Sequence, residues 1–498
     1  MPFSNSPSYS TYKTVQLNFE GTSLFRSGDI TTPRDTQLVN FYYERISQEN
    51  EKKTISLKKR PGVGATTWSL TKVANSDVLR GSTYDTVRNA MYWAVGNKVY
   101  SLLPDVSNVP TLVTTLSTSS GYVGFCGYIK STGTRYICFS DGTDLWIHDY
   151  VGATCTKVVD ADMPTPHQPY PISVDGYILL VKLNTNDMYN SDPDNPFSWT
   201  AGNYISAEIN SDYSIRPIKV KNYVLLLGVN SVEYFYDAAN ASGSPFSRND
   251  SPYRSLGYVT GYAQAGDTSF FVGQEGQGNL SVYQVNGFKI ERISTNIVDQ
   301  TIQTNVATQN AKSPIITNKD ANIISVAGHT FYVLTASQTT WMYDLEEKFW
   351  YELRNSSGTG MQIEASWNMQ NGSQYLAIAN QPTISVMAPA LYQDFGVNFT
   401  CRYTTDNYTA DTMNWKFCSR LIIVADQTQS TGASYINVSW SDDDFADPGT
   451  PVQLNLFTTT PDIRQLGRFR QRTWRFEYTD NYPLRMQAIY MDLNVGNS

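Results

Sequence analysis

A recurring β-hairpin is the feature that most constrains the fold of this chain. Each unit has an apolar strand centred on an aromatic residue, then a turn and a second alternating strand. In the unit that begins at Ala90–Val95, the turn Gly96-Asn97 supplies residues that tolerate positive φ before the strand Lys98–Leu102. The central aromatic residues of the successive units are Tyr92, Tyr136, Tyr177, Tyr223, Phe271, Tyr332 and Tyr375.

The spacing of these units predicts a β-propeller. The intervals are 44, 41, 46, 48, 61 and 43 residues, and a four-stranded blade needs about 40–50 residues. The long interval predicts an insertion or a helix, for which Val298–Lys312, rich in Gln, Thr and Asn, is the best candidate. The alternative is an irregular series of hairpins in a sandwich.

Composition favours the same fold class. Aromatic residues make up 13% of the 498 residues, which suits half-buried strands better than helices. The net charge is −8 and only 16% of residues are charged, so the chain lacks the general positive field that captures nucleic acid. Contact with DNA would have to be local.

Two segments flank the repeat. We predict an all-β chain with an extended N-terminal arm and a first strand in residues 1–79, and a propeller of six or seven blades in residues 80–392. Residues 393–498 are predicted to form a C-terminal β domain of sandwich type, because Ser434–Trp440 and Thr473–Tyr478 alternate strongly between apolar and polar residues.

The order of several short stretches is similar to that of a known family. These stretches are Leu38–Tyr42 followed by Lys59–Val63, Arg80–Tyr84 with Asn89–Tyr92 and Gly96–Tyr100, and Val232–Phe235. On these residues the chain resembles the packaged-DNA stabilisation proteins of short-tailed bacteriophages (podoviruses), also called tail hub, nozzle or head-closure proteins. It departs from them by extra residues between Phe41 and Arg60 and by a loosely similar C-terminal region.

The resemblance implies a structural virion protein of the phage tail, made in the host cytoplasm. It implies a ring, expected to be a hexamer, below the portal and adaptor that stabilises packaged DNA and provides attachment for the tail needle or for fibre and spike proteins. Double-stranded DNA would pass through the channel without sequence-specific binding. We expect no catalytic activity, no cofactor, no metal and no membrane insertion of this chain.

An arginine-rich segment near the C-terminus is the candidate site. It places five guanidinium groups within twelve residues, and at period two Arg468, Arg470 and Arg472 would share one face of a strand. Its members are Arg464, Arg468, Arg470, Arg472 and Arg475. We predict an interface with carboxylates of a neighbouring subunit. A solvated strand face and a local phosphate contact are the alternatives.

Other candidate chemistry has weaker support. The acidic run Asp442–Asp447 offers oxygen ligands for Ca²⁺, but it lacks EF-hand spacing and also fits a solvated turn. The five cysteines and three histidines show no metal-ligand spacing. The cysteines are therefore expected to be reduced thiols.

Two other functions remain open. A carbohydrate-binding or glycan-hydrolysing propeller would use the abundant Tyr and Trp residues against sugar faces, and a repeat scaffold would bind cellular proteins. The segment Met1–Ser10 lacks the basic start and apolar core of a signal peptide, and the apolar runs are only of strand length. Neither export nor a membrane span is expected.

Overall fold

A computed structural model describes residues 12–17, 19, 37–47, 53–210, 212–276, 278–308, 321–336, 338–426, 434–443, 449–458 and 460–496. Strands dominate these residues, and one α-helix interrupts them. The all-β class predicted from the sequence is confirmed.

The described residues of the N-terminal part form five strands. They are β1 (Lys13–Leu17), β2 (Gln37–Val39), β3 (Phe41–Ser47), β4 (Lys53–Lys59) and β5 (Gly62–Ser69).

The next twenty strands follow in groups of four. They are β6 (Leu79–Asp85), β7 (Ala90–Val95), β8 (Lys98–Leu102), β9 (Thr111–Thr115), β10 (Gly124–Ile129), β11 (Arg135–Ser140), β12 (Leu145–Asp149), β13 (Thr154–Lys157), β14 (Ile172–Val174), β15 (Tyr177–Val181), β16 (Asp187–Asp192), β17 (Asn195–Ser206), β18 (Ser214–Val220), β19 (Tyr223–Gly228), β20 (Val232–Asp237), β21 (Phe246–Arg254), β22 (Gly257–Ala265), β23 (Thr268–Gln274), β24 (Leu280–Asn286) and β25 (Lys289–Arg292).

The remaining elements begin with the helix. They are α1 (Asn296–Thr308), β26 (Ala321–Val326), β27 (His329–Ala336), β28 (Thr339–Asp344), β29 (Trp350–Glu352), β30 (Ile363–Asn368), β31 (Gln374–Ile378), β32 (Thr383–Ala388), β33 (Cys401–Thr404), β34 (Lys416–Ala425), β35 (Tyr435–Ser441), β36 (Val452–Asn455), β37 (Asp462–Arg464), β38 (Arg468–Phe469), β39 (Thr473–Tyr478) and β40 (Arg485–Val495).

The chain divides into two compact units. The propeller unit comprises Gly64–Leu345 and Met361–Ala388, and the two-sheet unit comprises Met1–Val63, Glu346–Gly360 and Pro389–Ser498. These units differ in extent from the predicted segments 1–79, 80–392 and 393–498. The difference arises because β2, β3 and β4 pair with strands of the C-terminal region, whereas β5 joins a propeller sheet.

The described residues of the propeller unit form six complete blades of four antiparallel strands. Five are consecutive, β6–β9, β10–β13, β14–β17, β18–β21 and β22–β25, and the sixth has the order β30-β31-β32-β5. Strands β26, β27 and β28 also pair in antiparallel fashion within this unit. Because β5 precedes β6 in the chain and completes the last blade, the first and last parts of the unit are held together.

The repeat predicted from the sequence matches the second strand of each sheet. All seven aromatic markers lie on the strands β7, β11, β15, β19, β23, β27 and β31. These strands are almost wholly buried, as in Ala90–Val95, where every residue is buried. The interval of 61 residues contains α1, so a helix is confirmed at Asn296–Thr308. It begins two residues before the predicted segment Val298–Lys312, and residues 309–312 lie outside the described part of the chain.

The apolar core of the propeller unit lies between neighbouring sheets. Trp93 of β7 and Trp367 of β30 pack edge to face at a centroid distance of 6.1 Å, and Trp93 donates its indole N–H to the carbonyl of Leu70 at 3.0 Å. Tyr128 and Ile178 belong to one buried apolar cluster that the β10–β13 and β14–β17 blades share. Burial of such rings supplies most of the free energy that holds blade to blade.

Three glycines lie on the first strands of their sheets, where each strand comes close to the backbone of a loop between strands. A Cβ atom at Gly81 would lie 1.9 Å from the carbonyl oxygen of Val123, and one at Gly257 would lie 1.8 Å from that of Val229. Gly124 has the same relation to Pro169, at 2.1 Å. No side chain fits at these distances, so the close approach requires glycine.

The two-sheet unit combines N-terminal and C-terminal strands. One sheet has the order β3-β4-β40-β34-β37, with β1 beside β40 and β38 beside β34; the other contains β29-β2-β33-β39-β35-β36. Tyr43 of β3 packs edge to face against Tyr351 of β29 at 5.9 Å, which places aromatic rings of both sheets in one core. The predicted sandwich-like C-terminal region therefore includes strands from the N-terminus.

Candidate functional site

The arginine segment spans β37, β38 and the start of β39, and it is not one continuous strand. Gln465 and Gly467 have φ values of 60° and 72°, which interrupt the extended backbone after β37. Strand β38 ends at Phe469, and β39 begins only at Thr473. The prediction that Arg468, Arg470 and Arg472 share one strand face is therefore wrong, because period-two alternation holds only within a strand.

Arg472 points inward and is part of the core of the two-sheet unit. Its side chain is 3% exposed. Its Nε and Nη2 donate to the two carboxylate oxygens of Asp442 at 2.6 and 2.8 Å, and its Nη1 donates to the carbonyl of Leu466 at 2.6 Å. The guanidinium also lies 4.3 Å from the ring centroid of Phe469. This bidentate geometry gives Arg472 a partner within its own chain.

Arg464 and Arg475 also contact groups of their own chain. Arg464 Nε donates to Asp462 at 3.1 Å, and Asp462 accepts a second bond from Arg420 at 2.6 Å. Burial alone would raise the pKa of Asp462, but these hydrogen bonds lower it below its usual value. Arg475 is half-buried on β39, opposite Thr404 of β33, and burial together with the charge of Arg402 lowers its pKa.

Arg468 and Arg470 are exposed and stack on a single tryptophan. Their guanidinium carbons lie 4.8 and 5.0 Å from the ring centroid of Trp415. Phe417, which is 41% exposed, stands directly opposite Arg468 across the β34–β38 pair. We call Trp415, Phe417, Arg468 and Arg470 the arginine–tryptophan patch.

The acidic run falls partly outside the described residues. Asp442 forms the ion pair with Arg472, and Asp443 accepts a hydrogen bond from Ser441 at 2.5 Å. Residues 444–448 lie outside the described chain, so the Ca²⁺ alternative for Asp442–Asp447 stays a prediction.

The Lys59–Val63 motif builds a second polar cluster that sequence reasoning did not identify as a site. Arg60 donates to both oxygens of Asp394, at 3.0 and 2.5 Å, and its Nε donates to Asn40 at 2.9 Å. Both side chains of the Arg60–Asp394 pair are 2% exposed. The ring of Phe399 covers the guanidinium at 3.7 Å. The motif thus links segments within the two-sheet unit. In the sequence, its only signal was its place among the stretches that carry the family resemblance.

Neighbouring residues complete this cluster. Burial lowers the pKa of Lys59, whose Nζ donates to the carbonyl of Asp480 at 2.7 Å. A Cβ atom at Gly62 would lie 2.2 Å from the carbonyl oxygen of Gln393. Lys59, Arg60 and Gly62 therefore each make a different contact, with Asp480, Asp394 and Gln393 respectively.

A cavity of about 630 Å³ lies where the first strands of the propeller sheets converge. Arg216 of β18 lies in its wall, with its guanidinium carbon 3.8 Å from the ring centroid of Tyr262 and 4.4 Å from that of Tyr170. Glu364, also in the wall, forms an ion pair with the buried Lys72 at 2.9 Å. The cavity is polar, and its charged groups are held by the surrounding sheets.

A serine–histidine pair lies in the propeller unit but is shut off from solvent. Ser140 Oγ is 2.6 Å from His167 Nε2, and His167 Nδ1 is 2.8 Å from the carbonyl oxygen of Pro164. Ser140 is fully buried and His167 is 1% exposed. A substrate cannot reach this hydroxyl, so the pair acts as a structural link between β11 and the following connection.

The fold defines an all-β protein built on a propeller with radially repeated sheets. The family model described as "Bacteriophage P22 Gp10, beta-propeller" matches residues 39–379. The chain belongs to this family of phage stabilisation proteins, which confirms the resemblance drawn from the sequence.

Comparisons outside this family give only remote likenesses. No curated protein matches the chain significantly. A streptogramin B lyase structure and the virginiamycin B lyase from Staphylococcus aureus are 12% and 11% identical; each comparison covers 70% of this chain and 97% or 98% of the other, with a TM-score of 0.41. The N-terminal domain of Nup159 is 12% identical over 70% of this chain and 98% of that one, with a TM-score of 0.37. These scores carry no argument about function.

Within the described residues, no helix has the length and hydropathy needed to span a membrane.

Proposed function

We propose that this protein is a structural subunit of a phage tail. Copies assemble as a ring below the portal and adaptor, stabilise the packaged DNA and provide attachment for needle, fibre or spike proteins. The protein resides in the virion and acts without catalysis. The observation that carries the proposal is the family match over residues 39–379, more than two thirds of the chain.

The propeller unit suits this role mechanically. Sheets that close radially leave only short edges and form a stiff body. Backbone approaches such as Gly81 to Val123 and Gly257 to Val229 leave no space for a side chain, so neighbouring sheets are tightly fitted. A stiff subunit can be placed in a ring without deforming under the pressure of packaged DNA.

The charge of the chain also supports passage of DNA. With a net charge of −8, a ring of these subunits would lack the general positive field that captures phosphate groups by releasing counterions. DNA that must leave the head rapidly would therefore meet little electrostatic drag.

Deletion of the gene from the phage that encodes it tests this proposal. Heads of the deletion phage are expected to package DNA and then lose it, so that the DNA becomes sensitive to added nuclease. Complementation with the wild-type chain is the control and should restore protection. Heads that keep nuclease-resistant DNA and yield infectious particles without this chain would contradict the proposed role.

Catalysis is tested separately with the purified chain. Incubation with polysaccharides of the host surface should give no change in chain length or reducing ends. Turnover that disappears when a pair of carboxylates is neutralised would instead support a glycan-hydrolysing propeller.

A further inference from the structure

The arginine–tryptophan patch has the composition of an interface centre. Trp415 is half-buried, and the guanidinium groups of Arg468 and Arg470 both lie within 5.0 Å of its ring centroid. Phe417 adds a ring that is 41% exposed. Tryptophan and arginine are the residues most often found to dominate binding energy at protein interfaces.

The cations of this patch are not neutralised by the part of the chain that the structure describes. Neither Arg468 nor Arg470 forms an ion pair with a described carboxylate, in contrast to Arg472 with Asp442. Lys416 lies beneath them and is buried, and its Nζ donates to the carbonyl of Arg470 at 2.6 Å and to that of Thr412. Three positive groups therefore share one small region.

Stacking on Trp415 holds the guanidinium groups ready for a carboxylate. A guanidinium that lies against an aromatic ring keeps N–H donors free at its edges, where they match the two oxygens of a carboxylate. Burial, and then the charge of Arg470, lower the pKa of Lys416, so these two cations repel each other. A bound carboxylate would relieve this repulsion.

We propose that the arginine–tryptophan patch binds carboxylates on a second copy of this chain. Charge complementarity supports this occupant, because each copy carries 45 acidic residues against 37 basic ones. The patch meets a different surface of the neighbouring copy, which is the heterologous contact that closes a ring. The inference rests on the proposed ring assembly and narrows the predicted interface from five arginines to Arg468 and Arg470.

Charge reversal tests the contact in solution. Sedimentation velocity of the wild-type chain is expected to show self-association, and R468E/R470E should weaken it by at least about 30-fold, as expected for loss of desolvated charge pairs. The matched control is R464E, which alters an exposed arginine of the same segment that already pairs with Asp462. The control should associate like the wild type.

A cross-linking experiment identifies the partner carboxylates. R468K/R470K keeps both positive charges and supplies amines that a carbodiimide joins to carboxylates in contact. When light and heavy isotope-labelled copies are mixed, the introduced amines should give linked peptides that combine one light and one heavy member. This variant also keeps the proposal testable if R468E/R470E fails to fold.

Four results would overturn the proposal. They are a wild-type chain that stays monomeric at all accessible concentrations, unchanged association of R468E/R470E, equal loss of association in R464E, and cross-links confined to peptides of one label. If R468E/R470E lowered affinity for a DNA duplex and left association intact, the patch would be a phosphate site instead. None of these results bears on nuclease protection in the deletion phage, so the proposed function is judged independently.

Discussion

Replacement of Arg60 by alanine is expected to lower the free energy of unfolding by about 3–5 kcal/mol, the usual cost of leaving one member of a buried ion pair alone. The structure sets this magnitude, because Asp394 is 2% exposed and would lose two hydrogen bonds from the guanidinium. The carbonyl oxygens of Pro61 and Arg354 would each lose a donor as well.

Two further variants separate the charge from the geometry. R60K keeps a positive charge but cannot make the two parallel bonds to Asp394, so it is expected to cost less than R60A and at least about 1.5 kcal/mol. R464A removes an arginine whose side chain is 73% exposed and should change stability by less than about 1 kcal/mol.

Equilibrium urea unfolding followed by tryptophan fluorescence measures these differences through the midpoint and the slope. The double variant R60A/D394A should be more stable than the sum of the single changes predicts, because the unpaired carboxylate is then absent. A loss below about 1 kcal/mol for R60A, or additivity in the double variant, would refute the reasoning that Arg60 and Asp394 depend on each other.

Two other predictions concern the propeller unit. G124A should lower the free energy of unfolding by about 1–3 kcal/mol, because the new Cβ would lie 2.1 Å from the carbonyl oxygen of Pro169. The control G127A lies on the same strand with nothing within 4 Å of its Cβ position, and it should be neutral or slightly stabilising. Equal losses of stability for the two variants in urea unfolding would contradict the steric argument. Burial lowers the pKa of His167 below its ordinary value of 6.5. As pH falls below 6.5, His167 therefore binds a proton more readily in the unfolded chain than in the folded chain, and the free energy of unfolding decreases. H167Q should show a smaller decrease between about pH 7 and pH 5.5, whereas an identical pH dependence of the two unfolding free energies would contradict this assignment.

The regular part of the fold was predictable because it depends on local pattern. Each second strand is buried on both faces and therefore reads as a continuous apolar run, as in Tyr223–Gly228 and Ala90–Val95. Turn residues between the strands fix the hairpins, and their repeat length fixes the blade. The helix Asn296–Thr308 was predictable in position because it breaks that repeat length.

The contacts that join distant parts of the chain were not predictable from the sequence. Strand β5 at Gly62–Ser69 completes a sheet with β32 at Thr383–Ala388, and Arg60 meets Asp394 across 334 positions. Nothing in the local composition of one segment identifies a partner so far away. In the sequence, Lys59–Val63 contributed only to the family resemblance, although its residues are fixed by these long-range contacts.

The arginine segment shows why a charge run gives an incomplete prediction of a site. Positive φ at Gln465 and Gly467 breaks the alternation, so Arg472 turns inward to Asp442 while Arg468 and Arg470 stay outside. Trp415, which supplies the surface on which both exposed arginines stack, lies more than fifty positions earlier. Spacing alone could not separate the internal arginines from the external ones.

Quantitative mass spectrometry of purified particles tests the central claim most directly, by counting copies of this chain relative to the portal protein. A sixfold ring beneath a twelvefold portal predicts about one copy for every two portal subunits. Absence of the chain from purified particles would contradict a structural role in the virion.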